Sequence, residues 1–487
     1  MKRETFGSRL GFILVSAGCA VGIGNVWKFP YMCGQFGGAA FILIYLVFLL
    51  IMGIPVMVCE FGVGRASRHS VAAAYETLEP KGTKWHITKW IGVIGCYFLM
   101  MFYTTVGGWM LYYCVRSFRG DFVGADMKTV SAGFSDMLGN MPLMAFWTIL
   151  ISIIGFGVCA FGIQKGIEKV SKFMMTALLL IMIVLAIHSV MMKGAGAGIR
   201  FYLIPDFKQM AEIGIGNVIF GAMSQAFFTL SIGIGAMLIF GSYMEKDQRL
   251  FGEAVNITVL DTIVALMAGF IIIPACFAYG IEPGAGPSLI FITIPNIFAQ
   301  VAGGRVWGGL FFLFLSFAAF TTLVAVFENI ISFDMDLFGW SRKKSTLVSL
   351  ILIIILSMPC VMGFNVLAGF TPLGEGSTIM DLEDFIVSNN ILPLGSVVFV
   401  MFCVSKYGWG WKRFIKEADT GEGLKFPANV QKYMLYVIPA IVVVIYLKGY
   451  YDMFSPKGPV VLTVWMIVSL LVLGLVGWII FGKNKTK

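Results

Sequence analysis

Gly18-Cys19-Ala20-Val21-Gly22-Ile23-Gly24-Asn25 and Phe228-Thr229-Leu230-Ser231-Ile232-Gly233-Ile234-Gly235 both carry a small-apolar-Gly-Ile-Gly pattern inside an apolar run. Glycine in a helix interior costs roughly 1 kcal/mol against alanine. One such motif is ordinary close packing, because small residues four apart let membrane helices approach. Two of them, each opening a set of five apolar runs, point instead to helices that break at a binding site. An unwound turn frees carbonyl oxygens for a hard cation such as sodium. The half-helix N-termini offer N–H groups and a positive dipole to a carboxylate. Asn25, Thr229 and Ser231 add uncharged oxygens beside the breaks.

Outward from these motifs the chain is 59% hydrophobic and 13% charged, against roughly 25% charged in a soluble domain. A crossing needs roughly 20 apolar residues. Hydropathy and punctuation predict twelve spans, near 10–36, 39–64, 87–115, 142–161, 170–192, 216–241, 254–280, 305–333, 346–363, 380–404, 433–449 and 459–481. A short helix is expected around Ile290 to Val301. The basic lead Lys2-Arg3 before an apolar stretch imitates a signal peptide, but no small-residue cleavage site follows, so the first span is read as retained. The nine cysteines lie inside apolar segments without Cys-x-x-Cys spacing. They read as small buried hydrophobes rather than a disulfide framework or zinc site.

With the N-terminus inside, the inner segments carry 25 of the 35 Lys and Arg and the outer ones 9, the remaining one being Lys28 within the first span. The positive-inside rule then places both termini in the cytoplasm of a multi-pass protein of the plasma (inner) membrane. The net charge of +9 marks orientation and implies no nucleic-acid partner. The organisation expected is a first five-helix repeat over 1–200, a second, inverted one over 201–410, and two peripheral helices within 411–487. The fold class is thus all-α, polytopic, with a 5+5 core and broken helices 1 and 6.

A charge inside a span costs roughly 2.5–3.5 kcal/mol on the insertion scale, so each intramembrane acid asks for a partner. Asp261, in Asn256-Ile257-Thr258-Val259-Leu260-Asp261-Thr262, reads as a cation ligand or, alternatively, as a helix-end or snorkelling residue. Glu60, in Cys59-Glu60-Phe61-Gly62-Val63-Gly64-Arg65, reads either as a structural cap on freed backbone N–H groups or as the partner of Arg65. Thr321 and Thr322, adjacent in the eighth span, either bond their own helix carbonyls or build a second cation site. A channel would show a pore lined by charged or carbonyl rings, whereas this chain has isolated acids and two breaks. An enzyme is a poorer reading, since His69, His86 and His188 have no ligand spacing and no Ser or Cys has a recognisable base. A transporter-like sensor that binds without net flux remains an alternative.

Arg9-Leu10-Gly11, Gly22-Ile23-Gly24-Asn25-Val26-Trp27-Lys28-Phe29-Pro30, Gln35-Phe36-Gly37-Gly38-Ala39-Ala40-Phe41, Gly53-Ile54-Pro55 and Gln225-Ala226-Phe227-Phe228-Thr229-Leu230-Ser231 together strongly resemble the neurotransmitter:sodium symporters, above all their bacterial amino-acid transporters. The resemblance implies sodium-coupled import of an amino acid by alternating access, with two sodium sites. The first would use the Ala20 carbonyl, Asn25, Thr229 and Asp261 with the substrate carboxylate; the second would use carbonyls of Gly18, Val21 and Ala318 with the hydroxyls of Thr321 and Thr322. A ligand shared by sodium and substrate makes each bind better in the presence of the other.

The resemblance further implies that the carboxylate meets N–H groups near Ile23 and Gly24 and the Tyr103 hydroxyl, and that the amino group meets carbonyls near Ala20 and Phe228 with Ser231 or Thr322. The side-chain pocket would be Leu99, Tyr103, Phe228, Ile234 and Val326, enlarged where Ile234 replaces Phe and Val326 replaces Ile, which favours an aromatic or long aliphatic side chain. Gly22, where amine transporters of the family carry Asp, implies a substrate with its own carboxylate. Asp261, where eukaryotic relatives carry Asn, and Ala265, in place of a chloride-ligand serine, imply chloride independence. The outer gate would be Lys28 with Asp384 above Tyr103 and Phe228; the inner gate would be Arg3 with Asp336 near Tyr243. Three departures from the family pattern are Lys28 for Arg, Phe6 for Trp, and Thr176 for the proline that accompanies unwinding of span 5.

Overall fold

The computed structural model describes residues 3–281, 283 and 289–483; Lys2, Lys485 and Lys487 of the basic ends lie outside it. Among the described residues, ten helices are long and apolar enough to cross a membrane: span 2 (Ala39–Ser67), span 3 (Trp85–Arg119), span 4 (Met141–Ala160), span 5 (Ile163–Val190), span 7 (Leu250–Ala278), span 8 (Gly304–Phe338), span 9 (Arg342–Met362), span 10 (Ile379–Val404), span 11 (Ala428–Lys457) and span 12 (Pro459–Phe481). Span 1 is an eleventh if its two pieces, Arg9–Ala20 and Gly24–Gln35, bent by 56°, are counted together. Ile215–Thr229 and Ala236–Tyr243 lie where span 6 is expected, and counting them as one interrupted span is consistent with twelve. The short helix expected near Ile290 is present as Leu289–Gln300.

Both breaks fall on the glycine motifs. Span 1 ends where the Val21 amide makes its last helical bond, 2.7 Å to the Ala17 carbonyl, and resumes when Asn25 bonds back to Gly22 at 3.1 Å. Between them the Gly22 amide donates to Asn25 Oδ1 (3.2 Å) and the Ile23 amide to the Tyr103 hydroxyl (3.0 Å). In span 6 the chain turns left-handed at Ser231 (φ 50°), Gly233 (φ 103°) and Gly235 (φ 81°). Glycine adopts this at no steric cost, while Ser231 is a non-glycine residue held there. A Cβ on Gly233 would lie 2.1 Å from the Leu392 carbonyl oxygen, and one on Gly395 1.9 Å from the Gly233 oxygen. Span 10 therefore packs backbone to backbone on the break.

Glu60 of span 2 is the clamp. Its carboxylate is wholly buried and accepts hydrogen bonds from the amides of Gly233 and of Met237, the latter at 3.2 Å. Of the two readings of Glu60, capping is the one observed; Arg65 instead pairs with Glu417 at 2.7 Å. The physical reason is proximity across the fold, which the spacing of Glu60 and Arg65 along one helix does not reveal.

Span 5 begins seven residues before the expected 170. Gly162 (φ 83°) makes a tight reversal and Gly166 lies against the Val158 carbonyl, so helical winding restarts at once. The Thr176 hydroxyl bonds the Lys172 carbonyl of its own helix at 2.8 Å, and the helix runs on unbroken past the position of the missing proline. Span 11 is likewise longer than 433–449. Spans 11 and 12 bury only 28% and 11% of their most apolar windows, which puts both at the edge of the bundle.

Replacing Glu60 by Ala orphans two buried amides, at roughly 1–3 kcal/mol each. In thermal unfolding of detergent-solubilised protein, Glu60→Ala is expected to lower the midpoint well beyond Glu60→Gln, whose amide oxygen still accepts one bond.

Candidate functional site

The pieces of the two broken spans converge on span 7 and span 8. Asp261, wholly buried in the middle of span 7, accepts from Asn25 Nδ2 through Oδ1 (2.8 Å) and from the Thr229 hydroxyl through Oδ2 (3.2 Å). Asn25 is 0% and Thr229 1% exposed, so a carboxylate and two neutral oxygen ligands share a dry space. Among the described residues no cationic side chain lies within 4.0 Å of Asp261. One negative charge with uncharged oxygens suits a hard monovalent cation. Ala20, the fourth expected ligand, closes the first half of span 1, where helix carbonyls have no helical partner.

A second oxygen cluster lies on the other side of the span 1 break. The Thr322 hydroxyl is within reach of four carbonyl oxygens: Cys19 (3.2 Å), Gly18 (3.3 Å), Val21 (3.4 Å) and Ala318 (3.4 Å). Thr321 reaches Ala318 at 3.1 Å. A hydroxyl has one proton to give, so this cluster has more acceptors than donors, which is the imbalance a cation corrects. The five expected members, Gly18, Val21, Ala318, Thr321 and Thr322, are all brought together. Self-bonding of the threonines also occurs, to Phe317 and Ala318, without excluding the cross-span contacts.

Between the clusters lies Gly22. A Cβ there would stand 2.4 Å from the Tyr103 hydroxyl and 2.8 Å from the Thr322 hydroxyl, and one on Gly24 2.8 Å from the Phe228 ring. A side chain at either position would displace these groups. Above them a cavity of about 260 Å³ is lined by Ile23, Lys28, Tyr103, Phe228, Asp384 and neighbouring residues. Lys28 and Asp384 thus share one vestibule without pairing; the Lys28 ammonium sits 3.7 Å from the Phe228 ring centroid. Leu99, Ile234 and Val326 are buried in the packing below and are not part of that lining. Ser231 points its hydroxyl to the Cys19 carbonyl at 3.4 Å.

The opposite end is shut. Arg3 grips Asp336 with one guanidinium nitrogen at 2.8 and 2.9 Å from the two carboxylate oxygens, donates to Ser242 and stacks 4.9 Å over Tyr243. Behind it the Tyr243 hydroxyl donates to Glu328 (2.6 Å), which also receives Arg342 at 2.7 and 3.0 Å. The buried clusters therefore lie between a vestibule at Lys28 and Asp384 and the ion pair of Arg3 and Asp336.

Residues 3–129 and 121–480 match the family described as SNF, the sodium:neurotransmitter symporter family. The chain belongs to the sodium:neurotransmitter symporter family. An uncharacterized sodium-dependent transporter of Bacillus subtilis (strain 168), YhdH, is 32% identical over 92% of this chain and 98% of its own. The sodium- and chloride-dependent GABA transporter 2 of Mus musculus is 26% identical over 91% of this chain and 79% of its own. The crystal structure of MhsT in complex with L-phenylalanine superposes with a TM-score of 0.82 at 36% identity, covering 91% of this chain and 99% of that one. The symporter is accordingly a multi-pass membrane protein of a sodium-dependent transporter family.

Sequence reading missed four participants: the Cys19 carbonyl, Gln225, whose amide donates to the Gly24 carbonyl at 3.0 Å, Glu328 and Arg342. Glu328 was findable, as an acid inside a run as apolar as that around Asp261. Gln225 was findable in the same way, as a polar residue in an apolar run, whereas the Cys19 carbonyl and Arg342 act through the backbone or across the fold, where residue type alone carries no signal.

Thr322→Val keeps the shape and removes the hydroxyl around which the carbonyls gather. Radioactive sodium binding to purified protein is expected to weaken about tenfold, or 1.4 kcal/mol, while Thr148→Val, a buried hydroxyl on span 4, leaves it unchanged.

Proposed function

We propose that this protein is a sodium-coupled symporter that imports a hydrophobic or aromatic amino acid by alternating access, independently of chloride. The observation that carries the reading is the meeting of two acceptor-rich oxygen clusters at Gly22, between a vestibule at Lys28 and Asp384 and the ion pair of Arg3 and Asp336. One sodium ion belongs at Ala20, Asn25, Thr229 and Asp261, completed by the substrate carboxylate; the other belongs at Gly18, Val21, Ala318, Thr321 and Thr322. That arrangement makes binding mutually dependent, since substrate supplies a ligand to sodium and sodium a charge to substrate.

The carboxylate would lie along the amides of Ile23 and Gly24 with Tyr103 as a further donor. The ammonium would face the Ala20 and Phe228 carbonyls with Ser231 or Thr322. The side chain would enter between Leu99, Phe228, Ile234 and Val326, which requires those buried residues to part. The L-phenylalanine held by MhsT supports an amino acid of this kind. Closure of Lys28 on Asp384 and release of Arg3 from Asp336 would then turn the site to the other face. Residues 1–200 and 201–410 act as the two five-span repeats, with both termini in the cytoplasm. Buried Ala265 offers no hydroxyl to chloride, and Asp261 provides fixed negative charge instead.

In proteoliposomes, an inward sodium gradient should drive accumulation of labelled tyrosine or tryptophan, competed by aromatic and long aliphatic amino acids but not by the corresponding amines. Replacing chloride with gluconate should leave the rate unchanged, and Gly22→Ala should abolish substrate binding. Binding without accumulation would make the protein a sensor, and chloride-stimulated uptake would overturn the chloride-independent reading.

A further inference from the structure

A cavity of about 540 Å³, remote from the vestibule, opens where the loop between spans 2 and 3, the end of span 10 and the end of span 12 meet. Each segment contributes one lysine to its wall: Lys81, Lys406 and Lys483. No acidic residue lines it, and none of the three lysines is among the ion pairs of the described residues. Glu79, next to the cavity, accepts from the wall residue Thr83 at 2.9 Å and lies 2.7 Å from His86, and it pairs with none of the three lysines. Three like charges converging without a counter-ion repel one another unless an anion joins them.

The wall is pinned rather than loose. The buried Trp85 donates its indole N–H to the Tyr407 carbonyl at 2.9 Å, and the Tyr407 ring meets the Phe481 ring edge-on at 5.4 Å. Beside the cavity, the Lys84 ammonium covers the Trp478 ring at 3.7 Å. From this point span 12 runs away with its apolar residues outward, Leu471, Leu475, Trp478 and Phe481 being 69, 49, 46 and 56% exposed. The site is thus two-part: a cationic cleft at the end of a span, where headgroups lie, and an apolar stripe along the same span, where acyl chains lie. Amphiphiles of opposite charge match both halves, whereas a free anion matches only the first.

We propose that Lys81, Lys406 and Lys483 bind the phosphate headgroup of an anionic phospholipid whose acyl chains lie along span 12. The reading does not depend on the identity of the transported substrate.

Native mass spectrometry of the full chain, released from detergent after incubation with phosphatidylglycerol or phosphatidylcholine, tests it. The protein should retain phosphatidylglycerol in preference. The K81Q/K406Q/K483Q variant should lose that retention by at least about tenfold, while K165Q/K343Q/K416Q, which removes the same number of exposed lysines elsewhere, keeps it. Sodium binding equal to the parent's shows that the first variant is folded. Equal retention of both lipids, undiminished retention by the first variant, or equal loss in both variants would overturn the proposal. Displacement of phosphatidylglycerol by millimolar inorganic phosphate would also overturn it, by showing that the cleft reads phosphate alone.

Discussion

Two backbone amides of the span 6 break, those of Gly233 and Met237, end on the carboxylate of Glu60, and the rest of the site hangs on that clamp. A bilayer interior supplies no water, so every N–H and C=O released by unwinding must find a partner inside the protein. Glu60 takes the amides on one side, and the close approach of Gly233 to Leu392 and Gly395 leaves no room for the segment to slide. With the amides satisfied and the chain immobilised, Ser231 can stay left-handed and Thr229 can hold its hydroxyl on Asp261.

The span 1 break solves the opposite half of the problem. Its amides are taken by Asn25 and Tyr103, but its carbonyls outnumber the protons available, three of them sharing the Thr322 hydroxyl with the Ala318 carbonyl of span 8. An excess of acceptors is unfavourable in a dry interior and becomes favourable when a cation enters. The same geometry would favour a positive ion. Gly18, Cys19 and Val21 belong to span 1 and the hydroxyls to span 8, so a cation held there would tie those two spans together.

Legibility followed chemistry more than distance. Gly22, Asn25, Thr229 and Asp261 stood out because glycines and polar groups in apolar runs are expensive, and the structure gathers them. Glu60 stood out for the same reason, yet its two readings could be separated only by seeing that Arg65 has its own partner in Glu417. Leu99, Ile234 and Val326 gave no local sign of a role, since apolar residues in apolar helices look alike, and they are packed rather than lining the open vestibule. Span ends drifted wherever a tight turn, such as Gly162 before span 5, let the helix begin within a polar stretch.

Composition, charge asymmetry and the paired Gly-Ile-Gly motifs by themselves determined an all-helical membrane bundle with two costly interruptions, because burial in lipid constrains residue type directly. Which face is open, which carboxylate caps the break and which carbonyls compete for Thr322 were decided only by tertiary structure. Those are contacts between residues as far apart as Glu60 and Gly233 or Gly18 and Thr322, and no local propensity encodes them.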